Sequence, residues 1–148
     1  MPTWIPATTP AVGDKIPVAF PNAFGAWTAY TPTLTQSATL TKTVTRATYT
    51  QIVKTVIGAA NLAITSSGTA SNAIVVGLPV AAAVSAGLSV GSFWYSAAGT
   101  NYSGDAVLTT STTVSLISTG GTNYFGVNPA VTAVSGHTIT INFSYEAA

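Results

Sequence analysis

Cysteine is absent from this chain of 148 residues, which excludes a disulfide framework, thiolate catalysis and cysteine-ligated metals. Charge is almost as scarce: four Lys and Arg residues against three Asp and Glu residues give a net charge of +1. Nucleic acids and anionic membranes are bound through clusters of basic residues, and this chain has none. We therefore expect neither nucleic acid nor a membrane as a partner.

The low charge also bears on solubility. Charged residues make up 5% of the chain, whereas they make up about 25% of a typical globular domain. A surface of mixed charge normally keeps a free monomer in solution. We expect that other protein covers part of this surface.

An apolar stretch without charge, AIVVGLPVAAAVSAGLSVG at residues 73–91, resembles a membrane span at first sight. Proline, glycines and serines interrupt it and no basic residue flanks it, whereas a spanning helix needs about 20 mostly apolar residues. The N-terminal MPTWIPATTP lacks the basic start and apolar run of a secretory signal. The sequence predicts neither a span nor export by that route.

Titratable side chains are too few for the common catalytic sites. His137 is the only histidine, so a Ser-His-Asp site would need Asp14 or Asp105, and neither lies near a nucleophile elbow. His137 opens the last alternating apolar segment, which favours a polar structural residue at a sheet rim. Asp14, Asp105 and Glu146 are scattered along the chain, so neither a carboxylate pair nor a metal site is expected. We predict no enzyme, no catalytic residue, no metal and no cofactor.

Proline marks off the beginning of the chain. Six of its eight prolines lie within the first 32 residues, where they favour extended backbone and remove hydrogen-bond donors from any sheet. We predict an extended proline-rich arm and hinge over residues 1–36 and a β-sandwich domain over residues 37–148. Six apolar arm residues are spaced so that no single helix or strand can bury them, which predicts burial against another surface: Trp4, Ile5, Ile16, Val18, Phe20 and Phe24.

After residue 38, short runs rich in Thr, Val, Ile and Tyr alternate with Gly, Asn and Ser, which is typical of strands and turns. The last run is the clearest, because Ile139, Ile141, Phe143 and Tyr145 alternate with small polar residues. The pattern predicts an all-β sandwich or jelly roll of about eight strands. Their approximate bounds are 39–49, 53–64, 73–78, 89–97, 106–110, 113–117, 130–134 and 137–145. Only LPVAAAVSAGL, at residues 78–88, could contain a helical turn.

Two further features concern binding. GTNYSG at residues 99–104 and GTNYFG at 121–126 echo each other; two hairpin turns are the favoured interpretation, and a duplicated binding loop is the alternative. Trp94, Tyr95 and Tyr102 could form a ligand platform on which a sugar stacks. In a strand, however, Phe93 and Tyr95 face one way and Trp94 faces the other, so ordinary core packing is favoured for some of them.

Five segments follow one another along the chain: GAWTAYTPTLTQ, YTQIVKTVIGAANLAI, GLPV, SFWYSAAGTNYSG and TITINFSYEA. Together, in this order, they resemble a family of virion proteins found in the tail and head-surface components of tailed phages. The resemblance covers roughly residues 13–147, with VGDKIPVAFPNAFGAW preceding the main module. Val53 departs from the family pattern, which often has Gly at that position.

The resemblance implies a β-sandwich trimer attached to a lattice on the phage particle surface, made in the cytoplasm of the host bacterium. The expected function is a capsid decoration protein, whose partners are its own copies and the major capsid protein or another virion protein. A minor tail or tail-tip protein, or a receptor- or carbohydrate-binding module, is the alternative. In this setting the segment with Trp27, Tyr30 and Pro32 is expected to be a hinge, with Trp27 anchored in the sandwich.

Overall fold

The computed structural model describes residues 25–148. The six arm residues named above, from Trp4 to Phe24, lie outside the described residues. Within residues 25–148 the chain forms strands, turns and loops and no helix. The prediction of an all-β fold is therefore confirmed.

Ten strands form one antiparallel sheet, with the order β1-β4-β5-β10-β7-β8-β9-β6-β2-β3. Five of them have nine or more residues, and these adjoin one another in the sheet. The strands are β1 (Thr28–Ala29), β2 (Leu34–Gln36), β3 (Ala38–Thr39), β4 (Lys42–Ile52), β5 (Thr55–Ile64), β6 (Val75–Gly77), β7 (Ser89–Ala97), β8 (Thr100–Thr110), β9 (Thr113–Ser118) and β10 (Thr138–Glu146).

Strand β10 lies at the centre of the long strands, between β5 and β7. Its residues Ile139, Ile141, Phe143 and Tyr145 are at most 5% exposed, while Asn142 and Ser144 are exposed. Successive side chains of a strand point to opposite faces, so this alternation separates an inner, apolar face from an outer, polar one. The alternation predicted for this segment is confirmed.

The buried apolar side chains form a single cluster. It includes Ala47 on β4 and Leu34 on β2, which lie near opposite ends of the strand order. One face of a flat sheet could not bring these residues into one core, so the sheet curls around it in a sandwich-like arrangement. Aromatic rings fill part of this core: the ring centroids of Phe93 and Tyr95 lie 5.3 Å and 5.0 Å from that of Phe125.

The expected strand over residues 130–134 does not form. Val131 and Ala133 are nevertheless buried. Their backbone groups bond to the Gln36 side chain, whose Nε2 donates to the Val131 carbonyl at 2.7 Å and whose Oε1 accepts from the Ala133 N–H at 2.9 Å. A buried side chain thus replaces the neighbouring strand as hydrogen-bond partner.

The segment with possible helical character, residues 78–88, is an irregular loop. Tyr145 holds it, because its hydroxyl donates to the Val80 carbonyl at 2.7 Å, and Ala82 forms an isolated bridge with Ala147. The apolar stretch at residues 73–91 is divided among β6, this loop and the start of β7. In residues 25–148, no helix has the length and apolar character needed to cross a membrane.

Candidate functional site

Strands β5, β10 and β7 expose an outer face whose side chains are mostly small and polar. Two large apolar side chains interrupt this pattern: Ile57 on β5 is 42% exposed and Trp94 on β7 is 50% exposed. A third, Trp27, precedes β1 and is 57% exposed. Exposed tryptophans are infrequent on soluble domains and frequent at binding surfaces, so this face is a candidate site.

Trp27 borders a shallow recess of about 390 Å³ on this face, here called the apolar recess. Its floor is formed by parts of β5, β7 and β10, including Ile57, Ala59, Ser92 and Asn142. All ten lining residues are uncharged. The nearest charge in the strand register is Asp105 on β8, which pairs with Ser92. Glu146 follows Ser144 by two positions on β10, so these two carboxylates lie beside the recess and outside its lining.

The expected hinge is instead part of the β domain. Tyr30 packs edge-on against Tyr49 and Phe143, with ring centroids 5.9 Å and 6.2 Å away, and Pro32 is buried. Leu34, in β2, is fully buried. The predicted domain boundary at residue 36 is therefore wrong, because strands β1 and β2 lie before it. The prediction that Trp27 is anchored in the sandwich is also wrong, because its indole is largely exposed.

The edge formed by β4 contrasts with the apolar recess. Strand β1 covers β4 only at Thr48 and Tyr49, so its first half is an open edge as far as residues 25–148 show. Lys42 and Arg46 lie in this half, and the pairing with β5 shifts register between Val44 and Arg46. Cationic side chains and bulges are the usual means by which an edge strand avoids pairing with another sheet. This edge is poorly suited to self-association.

A second recess, of about 360 Å³, lies where β8 and β9 meet the loop that follows β9. We call it the polar recess. It is lined by side chains of Asn, Ser, Thr and Tyr, by two glycines and by Pro129. Its nine residues are Asn101, Tyr102, Ser103, Ser118, Thr119, Gly120, Gly121, Asn128 and Pro129.

The three residues of the expected ligand platform do not share one surface. Tyr95 is fully buried, Trp94 is 50% exposed on the opposite face of β7, and Tyr102 is half-buried on β8. Tyr102 faces inward beside Tyr95, and it also lines the polar recess. Trp94 pairs in register with Ser103, a neighbour of Tyr102 in the chain. The platform as predicted is wrong, although Tyr102 does border a recess.

His137 lies just before β10 and is 8% exposed. Its Nδ1 and the Tyr95 hydroxyl oxygen are 2.8 Å apart, a hydrogen bond whose donor depends on the histidine tautomer. Burial lowers the pKa of His137 below its ordinary value and raises the pKa of Tyr95, so both groups are neutral at pH 7. The pair is enclosed by core aromatics, which makes it a structural contact.

The acidic residues of the domain remain apart. Asp105 is exposed on β8 and Glu146 is exposed at the end of β10, whereas Asp14 lies outside the described residues. In the part of the chain that the structure describes, no three His, Asp or Glu side chains group closely enough to hold a metal ion.

The two GTNY segments adopt different structures. Ala98 and Gly99 form the two-residue turn between β7 and β8, with φ of 41° and 100°, as expected for a hairpin. GTNYFG lies in a loop instead, where Tyr124 is 36% exposed and Phe125 is fully buried. The hairpin prediction is confirmed for the first segment and wrong for the second.

Sequence reasoning overlooked two residues of these recesses. Ile57 did not stand out within the apolar run VIGAANLAI. Its position between the buried Val56 and Gly58 nevertheless indicates an outward-facing apolar side chain. Ser118 gave no signal, because one serine at a strand end is common. Comparison with protein-family models, curated proteins and solved structures finds no match to this chain.

Proposed function

We propose that this protein is a structural component of a tailed-phage virion, a homotrimeric capsid decoration protein attached to the head lattice. The resemblance of its segments to phage virion proteins motivates the proposal. The observation that carries it is the apolar recess, an uncharged surface bordered by the largely exposed Trp27. In the proposed trimer a second copy of this chain covers the recess.

Self-association through this face is physically favourable. Full burial of a large apolar side chain contributes about 1.5–3 kcal/mol, and tryptophan is enriched among residues that dominate interface energies. Two copies of a nearly neutral chain also meet without strong repulsion, since the net charge is +1. The polar groups around the recess, such as Asn142 and Ser144, are of the kind found at interface rims.

The start of the described chain lies close to this face. Gly25 approaches the side chains of Thr50 and Ile52 on β4, two residues before Trp27. We propose that residues 1–24 continue from here to the lattice and contact the major capsid protein or another virion protein. Three copies would present three such segments, and their avidity would strengthen a weak single contact.

Sedimentation of the full chain tests the trimer. We expect a trimer for the wild type and a shift toward monomer for the double variant Trp27→Ser, Ile57→Ser, with little change in the free energy of unfolding. The matched control is Tyr124→Ser, because Tyr124 is 36% exposed in the loop after β9, which contributes no residue to this recess. A wild-type monomer at micromolar concentration, or an unchanged trimer in the double variant, contradicts the proposed interface.

Immunogold electron microscopy of phage particles tests the virion location. Label over the head supports a decoration protein, label confined to the tail favours a minor tail protein, and unlabelled particles contradict both. Removal of residues 1–24 provides a second test. The truncated protein is expected to stay folded and trimeric but to lose binding to particles, and normal decoration by it would rule out the arm as the attachment.

A further inference from the structure

The polar recess is lined by the hydroxyl-bearing side chain of Ser118. Ser118 is 7% exposed, yet its Oγ takes part in none of the hydrogen bonds formed by residues 25–148. Among residues 25–148, the fully buried side-chain atoms that lack a partner are the hydroxyls of Tyr30, Thr48 and Thr50, and the Ser118 Oγ is not one of them. Ser118 lines the recess, so its hydroxyl is available to donate a hydrogen bond to a ligand there or to accept one.

The remaining lining supplies both polar and apolar contacts. Asn101 and Ser103 are exposed residues of β8 that line the recess together with Ser118, and they carry an amide and a hydroxyl. The ring of Tyr102 is held on its inner side by Phe125 and Tyr95, at centroid distances of 5.0 Å and 6.5 Å. The recess therefore joins one fixed aromatic ring to several uncharged hydrogen-bonding groups.

The positions of the charged residues indicate which class of ligand the polar recess can bind. No residue that lines the recess carries a charge, and Asp105 lies two positions from Ser103 on the same strand. Lys42, Arg46 and Lys54, the cations among residues 25–148, lie on β4 and the turn after it, and β5, β10 and β7 separate β4 from β8. Among residues 25–148, phosphate, sulfate and carboxylate ligands would therefore have no cation to pair with.

We infer that the polar recess binds a neutral carbohydrate. Sugar hydroxyls both donate and accept hydrogen bonds, which suits the hydroxyls and amides of Ser118, Ser103 and Asn101. The C–H face of a sugar ring is apolar and can pack on an aromatic ring such as that of Tyr102. The volume of about 360 Å³ is at the lower end of the range for ligand pockets, which suits one or two sugar units.

This site is separate from the proposed trimer interface. Ser103 and Ser118 belong to β8 and β9, whereas the apolar recess is formed on β5, β7 and β10 beside Trp27. A virion protein with both surfaces could assemble through one and contact a host glycan through the other. The inference does not depend on the trimer, because every residue it uses belongs to one chain.

Nuclear magnetic resonance titration of the labelled full chain tests this site. The probes are D-glucose, D-galactose, D-mannose, L-rhamnose and N-acetyl-D-glucosamine, with glucose 6-phosphate and adenosine as ligands of other classes. We expect at least one neutral sugar to cause saturable shifts in the amide signals of residues 101–103 and 118–121. Glucose 6-phosphate is expected to bind more weakly than glucose.

Variants identify the contacts that bind the sugar. Asn101→Ala and Ser118→Ala are each expected to weaken binding about two- to tenfold, as the loss of one neutral hydrogen bond would, without lowering the melting temperature appreciably. Val84→Ser is the control and should leave sugar binding unchanged, because Val84 is exposed and lines neither recess. The inference is overturned if no neutral sugar shifts these signals, if adenosine or the phosphorylated sugar binds better, or if both alanine variants bind as well as the wild type.

Discussion

The inner and outer faces of β5, β10 and β7 belong to the same strands but differ in how closely their side chains are packed. On the inner face, each side chain is fixed by neighbours: Phe143 lies over Gly58 and packs against Tyr30 and Tyr145. On the outer face, Asn142 and Ser144 are exposed, and Ile57 and Trp94 are only half covered. The inner face therefore determines stability, while the outer face is free to vary for binding.

The largest effect is expected for Phe143→Ala on the inner face. The ring is 3% exposed, and its removal should cost about 3–5 kcal/mol in the free energy of unfolding because it leaves a cavity. The matched change on the outer face is Asn142→Ala, for which we expect less than about 0.5 kcal/mol. Urea denaturation measures both, and equal losses would show that the two faces do not differ as described.

Gly58→Ala should produce the next largest effect. A Cβ at this position would lie 2.5 Å and 2.6 Å from two ring atoms of Phe143 and 2.8 Å from the Thr48 carbonyl oxygen. Such overpacking typically costs about 1–3 kcal/mol. If Phe143→Leu is added to Gly58→Ala, the smaller side chain should recover part of the loss. Additive losses in the double variant would mean that the clash with the ring is not the cause.

His137 makes the stability of the domain depend on pH. Burial lowers its pKa below the ordinary value of 6.5, so the unfolded chain binds the proton more tightly than the folded one. Stability is then fully present above pH 6.5 and falls as pH decreases from there toward the folded-state pKa. The His137→Gln variant should lose this part of the pH dependence in melting curves recorded from pH 7.5 to 5. If the melting temperature of the variant changes with pH as steeply as that of the wild type, other groups cause the pH dependence.

The smallest effect is expected at the turn between β4 and β5. Val53 has a φ of 57° and is 85% exposed, although a β-branched side chain is disfavoured in this conformation. Val53→Gly should relieve the strain and raise the free energy of unfolding by about 0.5–1 kcal/mol, after the entropy cost of glycine. Ile52→Gly is the control. Because Ile52 lies in β4, the same substitution there should lower the free energy of unfolding. A destabilising effect of Val53→Gly would show that the turn is not strained.

Much of the β architecture follows from local patterns in the chain. The alternation of residues 138–145 places each side chain on the correct face, and the hairpin turn occurs where Gly99 readily adopts a positive φ. The failed strand at residues 130–134 shows the limit of such patterns. A local pattern indicates which residues are buried. It does not indicate that their hydrogen bonds come from Gln36, which lies 95 and 97 residues away along the chain.

The candidate sites were less accessible to sequence reasoning. The sequence indicated both Trp27 and Tyr30 as aromatic anchors, but only Tyr30 packs against the core. Its partner there is Phe143, which lies on a strand near the other end of the chain. The two GTNY segments have the same four residues and place their tyrosines differently, since Tyr102 continues a strand and Tyr124 precedes the buried Phe125. In each case a distant contact decided the outcome.

By itself, the sequence determined the all-β class, the near-neutral charge and the two-sided character of the central strands. These properties depend on composition and on the period of two residues, which are local and need no knowledge of neighbours. The tertiary structure alone decided which apolar side chains stay exposed around Trp27 and which hydroxyl, that of Ser118, faces a recess. Exposure and the lining of a recess depend on residues far apart in the chain, so they arise only when the sheet curls and its strands and loops pack together.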